Sequence, residues 1–490
     1  MEENLFYLDK QSHKSKWHLV LMTSFGLIAS SYCLVLPAQM QTQIGEAFNI
    51  DDPKQFLTWL TSLHFLLNSF LPFFSGLIRD FYGDRKSIIF QNGLCVIGQI
   101  IVTFGISSGS QIVFIIGRIL LGWGIESLLI VLTSFICSYY KYTYLTFVLG
   151  MYQFVYTLGF VLCIWFAPQI TSVGASNTIA ILATTLGMLM SIVAIDIDVD
   201  AQSTILNKGA KYFKKHHEKL KSSTLHQQQQ QIEGEEIQVD QQNHQEDQMA
   251  VEQVYSEILP QTFFEKYFGF FNKNQYPSIY WYLLWFYSFA STSVLVLVDY
   301  AQEFLYDKWL IAIDNGETLA WKLVTLMWLF SGVITPLLGF VIDKYGQRSS
   351  LTIFSGLMAI WAHILVLLQS PFEGLLLLGL SFSLSYTTVW SGVLYLTQPN
   401  THGRSLSLFV CLQNFGITIT PFICKFFEQL TSSTVVTEIF LLVLAILAMF
   451  ISLMVYSEDK KFVNLIDRGL EVVSEVFTEP SSKLRSKEHI

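Results

Sequence analysis

The sequence predicts an all-α membrane protein: twelve transmembrane helices in two pseudo-symmetric six-helix bundles. Two observations carry that prediction. Twelve segments are apolar over about 20 residues, the length that crosses a bilayer core at ~1.5 Å per residue. A pattern, Gly76-Leu77-Ile78-Arg79-Asp80-Phe81-Tyr82-Gly83-Asp84-Arg85, reappears as Gly339-Phe340-Val341-Ile342-Asp343-Lys344-Tyr345-Gly346-Gln347-Arg348. Gly, Asp, Tyr, Gly and Arg keep identical offsets, each time just after a long apolar segment. One copy is a weak signal. Two copies in register, one per half, point to a duplicated bundle.

Composition supports the membrane reading. Hydrophobic residues make up 52% and charged residues 14%, against roughly 25% charged in a soluble domain. Mean hydropathy is +0.45, and the excess apolar surface must face lipid. The net charge of −9 leaves no basic face to neutralise phosphate, so no nucleic-acid partner is expected. The spans hold no nucleotide loop, nucleophile elbow or His/Asp cluster. No enzyme, catalytic residue, metal or cofactor is therefore expected. The six cysteines all fall inside the apolar segments without metal-ligand spacing and read as small apolar fillers. The first sixteen residues are polar and lead into a span too long for a signal h-region.

In chain order the expected spans are 17–38, 56–78, 87–106, 112–138, 145–168 and 176–196, then 279–302, 319–342, 350–369, 373–397, 405–427 and 435–456. They give an N-terminal bundle over 1–197, a linker over 198–278, a C-terminal bundle over 279–457 and a tail over 458–490. The linker starts basic and becomes Gln-rich and acidic. It cannot bury a core, so disorder is expected over most of it. Its aromatic end, 262–271, is expected to lie at the membrane interface as a short amphipathic helix. Lys and Arg concentrate on one side, which places both termini in the cytoplasm. The outer loops are acidic, and no N-x-S/T acceptor occurs.

In the paired loops, Gly76 and Gly339 permit close helix approach, and Gly83 and Gly346 complete the pattern. Asp80 and Asp343 are placed to face the N-terminus of a neighbouring helix, where the dipole favours an anion. Arg85 and Arg348 can pair with acidic groups or lipid heads. A gating role is expected of all eight; the bland alternative is an ordinary charged turn. In the fourth span Arg118, Gly122 and Glu126 share one face at four-residue spacing. Glu126 falls ~20 Å down that helix, where a carboxylate is costly unless it faces a cavity or a partner. It is expected to hold substrate or carry a proton, and Arg118 to orient the bundle; a structural pair between them is the alternative. His64, with Asn68 a turn further on, is either a proton site or a hydrogen-bonded packing residue. Trp390, Gln413 and Asn414 lie deep in the tenth and eleventh spans, with Gln153 the counterpart of Gln413 in the fifth. Together with His64, Asn68 and Thr157 they are expected to line a solute site; the alternative for the amides is to join helices to one another.

The G-x-x-x-D-x-x-G-x-R loops resemble the signature of the major facilitator superfamily of transporters. GRILLGWGIESL with SYYKYTYLTFVLG, and LGLSFSLSYTTVWSGV with GRSLSLFVCLQNFGITI, resemble its lysosomal dipeptide uniporter branch. The resemblance implies a substrate site near the midplane between the halves, a geometry the superfamily illustrates generally. It also implies loops that lock the outward-facing state, Glu126 as anchor of a peptide's amino end, a lysosomal membrane, and a glycosylated luminal accessory subunit. Two positions depart from the family pattern. Phe81 stands where the first loop carries Arg, and Thr157 where the fifth helix carries an Arg suited to a peptide carboxylate. A proton-coupled carrier of another metabolite is a competing reading, although the fifth span lacks the Gly-Pro motif usual in antiporters. A non-transporting scaffold or sensor is a third.

Overall fold

A computed structural model describes residues 16–231 and 276–461 together with Ile466 and Asp467, apart from positions 142, 171, 315, 370, 432 and 434. The aromatic stretch 262–271 and most of the tail lie outside the described residues. Twelve described helices are long and apolar enough to cross a membrane: Lys16–Gln39, Gln55–Tyr82, Asp84–Ser107, Gln111–Tyr140, Leu145–Gln169, Val173–Ala201, Ser278–Val298, Leu319–Tyr345, Arg348–Leu368, Pro371–Leu396, Pro399–Thr431 and Val435–Lys461. They are numbered below as the first to twelfth spans.

Local chemistry sets the ends of these helices. Asp52 caps the second span by accepting from the Gln55 amide at 3.0 Å, with Pro53 pre-set for the first turn. That span is broken into Pro53–Asn68 and Leu71–Tyr82. The break falls just before Pro72, whose ring disfavours helix in the residue ahead of it and whose nitrogen donates no bond. Pro336 and Pro421 interrupt nothing: each lies inside a continuous helix.

The two bundles meet through the second span against the eleventh and the fifth against the eighth. These pairings exchange under the repeat, because the second span corresponds to the eighth and the fifth to the eleventh. Contacts join both bundles into one compact unit, with 199–275 as a second. The described part of the second unit is helical: the helix that begins at Val173 runs to Gln231. The expected disorder therefore does not begin at residue 198. The segment past the sixth span is rich in Lys and Gln, both good helix formers. It continues a helix already nucleated in the bilayer, so no nucleation cost arises. Removing residues 205–255 is expected to leave solute uptake unchanged; loss of uptake from a deletion variant that still inserts and folds would contradict this.

Candidate functional site

The repeated loops close one end of the bundle by a reciprocal cap. Asp80 ends the second span and reaches the first turn of the eleventh. Its carboxylate accepts from the amides of Gly403 (2.8 Å) and Arg404 (3.1 Å) and from Arg404 Nε (2.8 Å). Asp343 ends the eighth span and does the same at the fifth, accepting from the amides of Thr146 (3.0 Å) and Phe147 (2.8 Å). Each half thus supplies an anion to the unpaired amides and positive dipole end of a helix in the other half. Gly76 and Gly339 make the approach possible. A Cβ on Gly76 would lie 2.5 Å from the Gly403 oxygen, and one on Gly339 2.4 Å from the Thr146 oxygen. Gly83 and Gly346 turn the chain at φ of +81° and +72°, where an L side chain is strained.

The arginines depart from the symmetry. Arg348 is buried. It donates to Thr146 Oγ1 and Ser391 Oγ at 3.0 Å and to the Ile466 carbonyl at 3.1 Å, with Asp343 at 3.5 Å. Arg85 instead donates to Asp198 at the end of the sixth span, at 2.5 Å. That is one of the acidic pairings expected of it; beside the motif carboxylate stands Arg79, which contacts Asp80 (3.1 Å) and Asp84 (2.7 Å) and donates to the Pro399 carbonyl of the other half. Arg79 was not singled out from sequence because the second copy has Ile342 at that offset. Arg404 and Thr146 were missed as well, since nothing local marks them as recipients of a distant carboxylate. Lys141 sits in the same layer, outside the spans. Its carbonyl accepts from the Tyr395 hydroxyl at 2.5 Å, and burial pushes its ammonium below the usual lysine range.

A short piece beyond the twelfth span braces this closed end. Asp467 caps the ninth helix, accepting from the Ser349 amide (2.7 Å) and hydroxyl (2.5 Å). The neighbouring Ile466 carbonyl holds Arg348. Replacing Asp467 with Ala is expected to cost about 1–2 kcal/mol, read as a lower melting temperature; an unchanged melt would sever the tail from the gate.

Between the halves lies a cavity of about 330 Å³. Its lining runs from the middle of the bundle to Pro37, Ala38 and Leu57, at the end opposite the closed loops. Of the expected site residues, Glu126, Gln153, Trp390, Gln413, Asn414 and His64 line it, as does Arg118. Glu126 sits near the middle of the 30-residue fourth helix, with its side chain 16% exposed. His64 Nε2 lies 3.8 Å from Glu126 Oε1, too far for a hydrogen bond but close enough for its charge state to matter. Gly122 makes room for that imidazole: a Cβ there would lie 2.4 Å from His64 Cε1.

Arg118 does not pair with Glu126. It donates to the Cys33 and Leu34 carbonyls at 2.9 and 3.2 Å, tying the fourth span to the first. Thr157 and Asn68 fall outside the lining. Thr157 is buried, donates to the Gln153 carbonyl at 2.9 Å and packs on Gly332 at the fifth–eighth crossing. The Asn68 carbonyl accepts from Asn414 Nδ2 at 3.1 Å, which joins the second span to the eleventh. Trp390 donates to the Tyr287 hydroxyl at 3.0 Å.

Two matched six-helix halves, a reciprocal seal at one end and a mid-bundle cavity reaching the other define a membrane carrier of small solutes. The family model that matches is the Major Facilitator Superfamily, over residues 19–421, and the chain belongs to that superfamily. The lysosomal dipeptide transporter MFSD1 of Bos taurus is 22% identical over 414 residues, covering 83% of this chain and 77% of the relative. The Homo sapiens protein of that name is also 22% identical, over 413 residues, at 83% and 78% coverage. Among solved structures, the proton:xylose symporter XylE bound to 6-bromo-6-deoxy-D-glucose superposes with a TM-score of 0.65 at 14% identity, covering 94% of this chain and 98% of that one. The human organic anion transporter MFSD10 gives a TM-score of 0.60 at 11% identity, covering 90% and 100%. These likenesses show the fold.

Proposed function

We propose that this chain is an alternating-access carrier of small solutes bearing a protonated amine, with dipeptides the leading class and the lysosomal membrane its setting. The observation that carries the reading is Glu126, a carboxylate facing the cavity between the halves. A membrane-embedded carboxylate is retained when something cationic meets it, and the amino end of a peptide is such a group. The Bos taurus and Homo sapiens relatives are lysosomal dipeptide transporters, which supports dipeptide and lysosome here. The basic residues of the motif-bearing end favour a cytoplasmic position for it, and on that orientation the cavity of this state faces the lumen. The seal of Asp80 and Asp343 is then the cytoplasmic gate, broken when the halves rock. His64 beside Glu126 supports a second reading, in which a proton accompanies the solute.

Thermal melting of the purified protein against dipeptides, amino acids, sugars and nucleosides, at acidic and neutral pH, tests both. A ligand that binds only the folded state raises the melting point. Dipeptides are expected to stabilise, and Glu126→Gln to remove the shift. A shift with sugars or nucleosides alone would discard the amine reading. A dipeptide shift confined to one pH would favour proton coupling.

A further inference from the structure

Two charges line the cavity and neither neutralises the other. Glu126 and Arg118 share one face of the fourth span, eight residues apart, or about 12 Å at 1.5 Å per residue. Arg118 directs its two terminal nitrogens at the neutral Cys33 and Leu34 carbonyls. Its Nε is buried and has no hydrogen-bond partner. Among the described lining residues it is the one permanent cation. An anion and a cation held apart in a site of low dielectric are each costly to keep, and a zwitterion answers both.

The level between the two charges is also unsatisfied. His64 lies against Gly122, midway between residues 118 and 126: a Cβ there would lie 2.4 Å from the imidazole. Both ring nitrogens of His64 are buried without a hydrogen-bond partner. A neutral imidazole presents one donor and one acceptor, the complement of a peptide group. Buried polar atoms are nearly always paired, so unpaired ones at successive levels of one cavity wall point to a ligand.

The spacing sets a length. A peptide reaches at most ~3.5 Å per residue. With a contact of ~2.9 Å at each end, two residues cover roughly 13 Å, one residue roughly 9 Å and three roughly 16 Å. Only the first matches the two turns between Arg118 and Glu126.

We infer that, on the reading of Glu126 as amine anchor, Arg118 is the carboxylate anchor of the same site, and that the pair selects zwitterionic peptides of two residues. The peptide group between the ends meets His64.

Five compounds test this against the purified full-length protein by titration calorimetry: dileucine, its C-terminal amide, N-acetyl-dileucine, leucine and trileucine. Dileucine is expected to bind about tenfold or more tightly than the amide, the scale of one charged hydrogen bond. It is expected to exceed leucine and trileucine by a similar factor. The amide binding as tightly as the free acid overturns the inference and leaves the amine anchor standing. Leucine or trileucine matching dileucine overturns the selection of length. N-acetyl-dileucine binding as well as dileucine overturns the Glu126 anchor itself, and binding by none of the five overturns both. Arg118→Gln also releases the first span, so the quantity to read is the ratio of acid to amide affinity. That ratio is expected to fall to about one. A ratio kept at the wild-type value, however weak both ligands become, makes Arg118 structural and overturns the inference. If the variant does not fold, the wild-type series decides alone.

Discussion

Glu126→Gln is expected to abolish binding and uptake of amine-bearing solutes while leaving expression and the unliganded melt close to wild type. The substitution keeps shape and removes charge. Truncating one partner of a buried ion pair costs about 3–5 kcal/mol, on the order of a hundredfold to a thousandfold in affinity. The empty protein escapes that cost. Glu126 has no guanidinium partner, because Arg118 is held by the Cys33 and Leu34 carbonyls. Its one titratable neighbour among the ion-pair contacts of the described residues is His64, at 3.8 Å, charged only when protonated. Neutralising an embedded carboxylate removes a desolvation penalty, so the melt should hold or rise. A Gln variant with normal uptake would end the case for this anchor. One that fails to fold would show that Glu126 is structural.

The second large effect is expected at the helix crossings of the gate. Gly76→Val and Gly339→Val put side chains where a Cβ already lies 2.5 Å and 2.4 Å from backbone oxygen of the opposite half. Backbone cannot yield as a flexible side chain does, so the halves must part at that end. Overpacking of this sort typically costs about 1–3 kcal/mol, borne only by the state in which the end is sealed. Each variant should lose transport and admit a water-soluble maleimide to a cysteine placed in the cavity from the motif-bearing side. Gly93→Val is the control, because nothing lies within 4 Å of its Cβ position. Transport at wild-type level in both gate variants would show that the sealed contact is not part of the cycle.

Much of this architecture is legible in the sequence because the bilayer imposes strict terms. Each span must be long and apolar, so all twelve segments could be placed to within a few residues. The repeat made Asp80 and Asp343 conspicuous, and their helix-capping geometry followed from the dipole argument. Glu126 stood out because a carboxylate at that depth needs a reason. The rest depended on what each side chain meets at its own level along the helix. Thr157 and Gln153 are one turn apart on the fifth span, yet only Gln153 reaches the cavity. Asn68 and His64 are likewise one turn apart, yet only His64 lines the cavity, while the Asn68 carbonyl is occupied by Asn414. Arg79 was hidden because counting matched offsets discards a residue present in one copy alone. Asp467 caps a helix through Ser349, 118 residues earlier, a pairing that no local pattern announces.

The most direct test of the account is counterflow in liposomes: purified protein reconstituted with an unlabelled amine-bearing peptide inside and a labelled one outside, wild type beside Glu126→Gln. Wild-type vesicles are expected to accumulate label transiently, and Glu126→Gln vesicles to stay at the level of protein-free liposomes. Label entering both alike, or neither, would contradict an amine carrier built on Glu126.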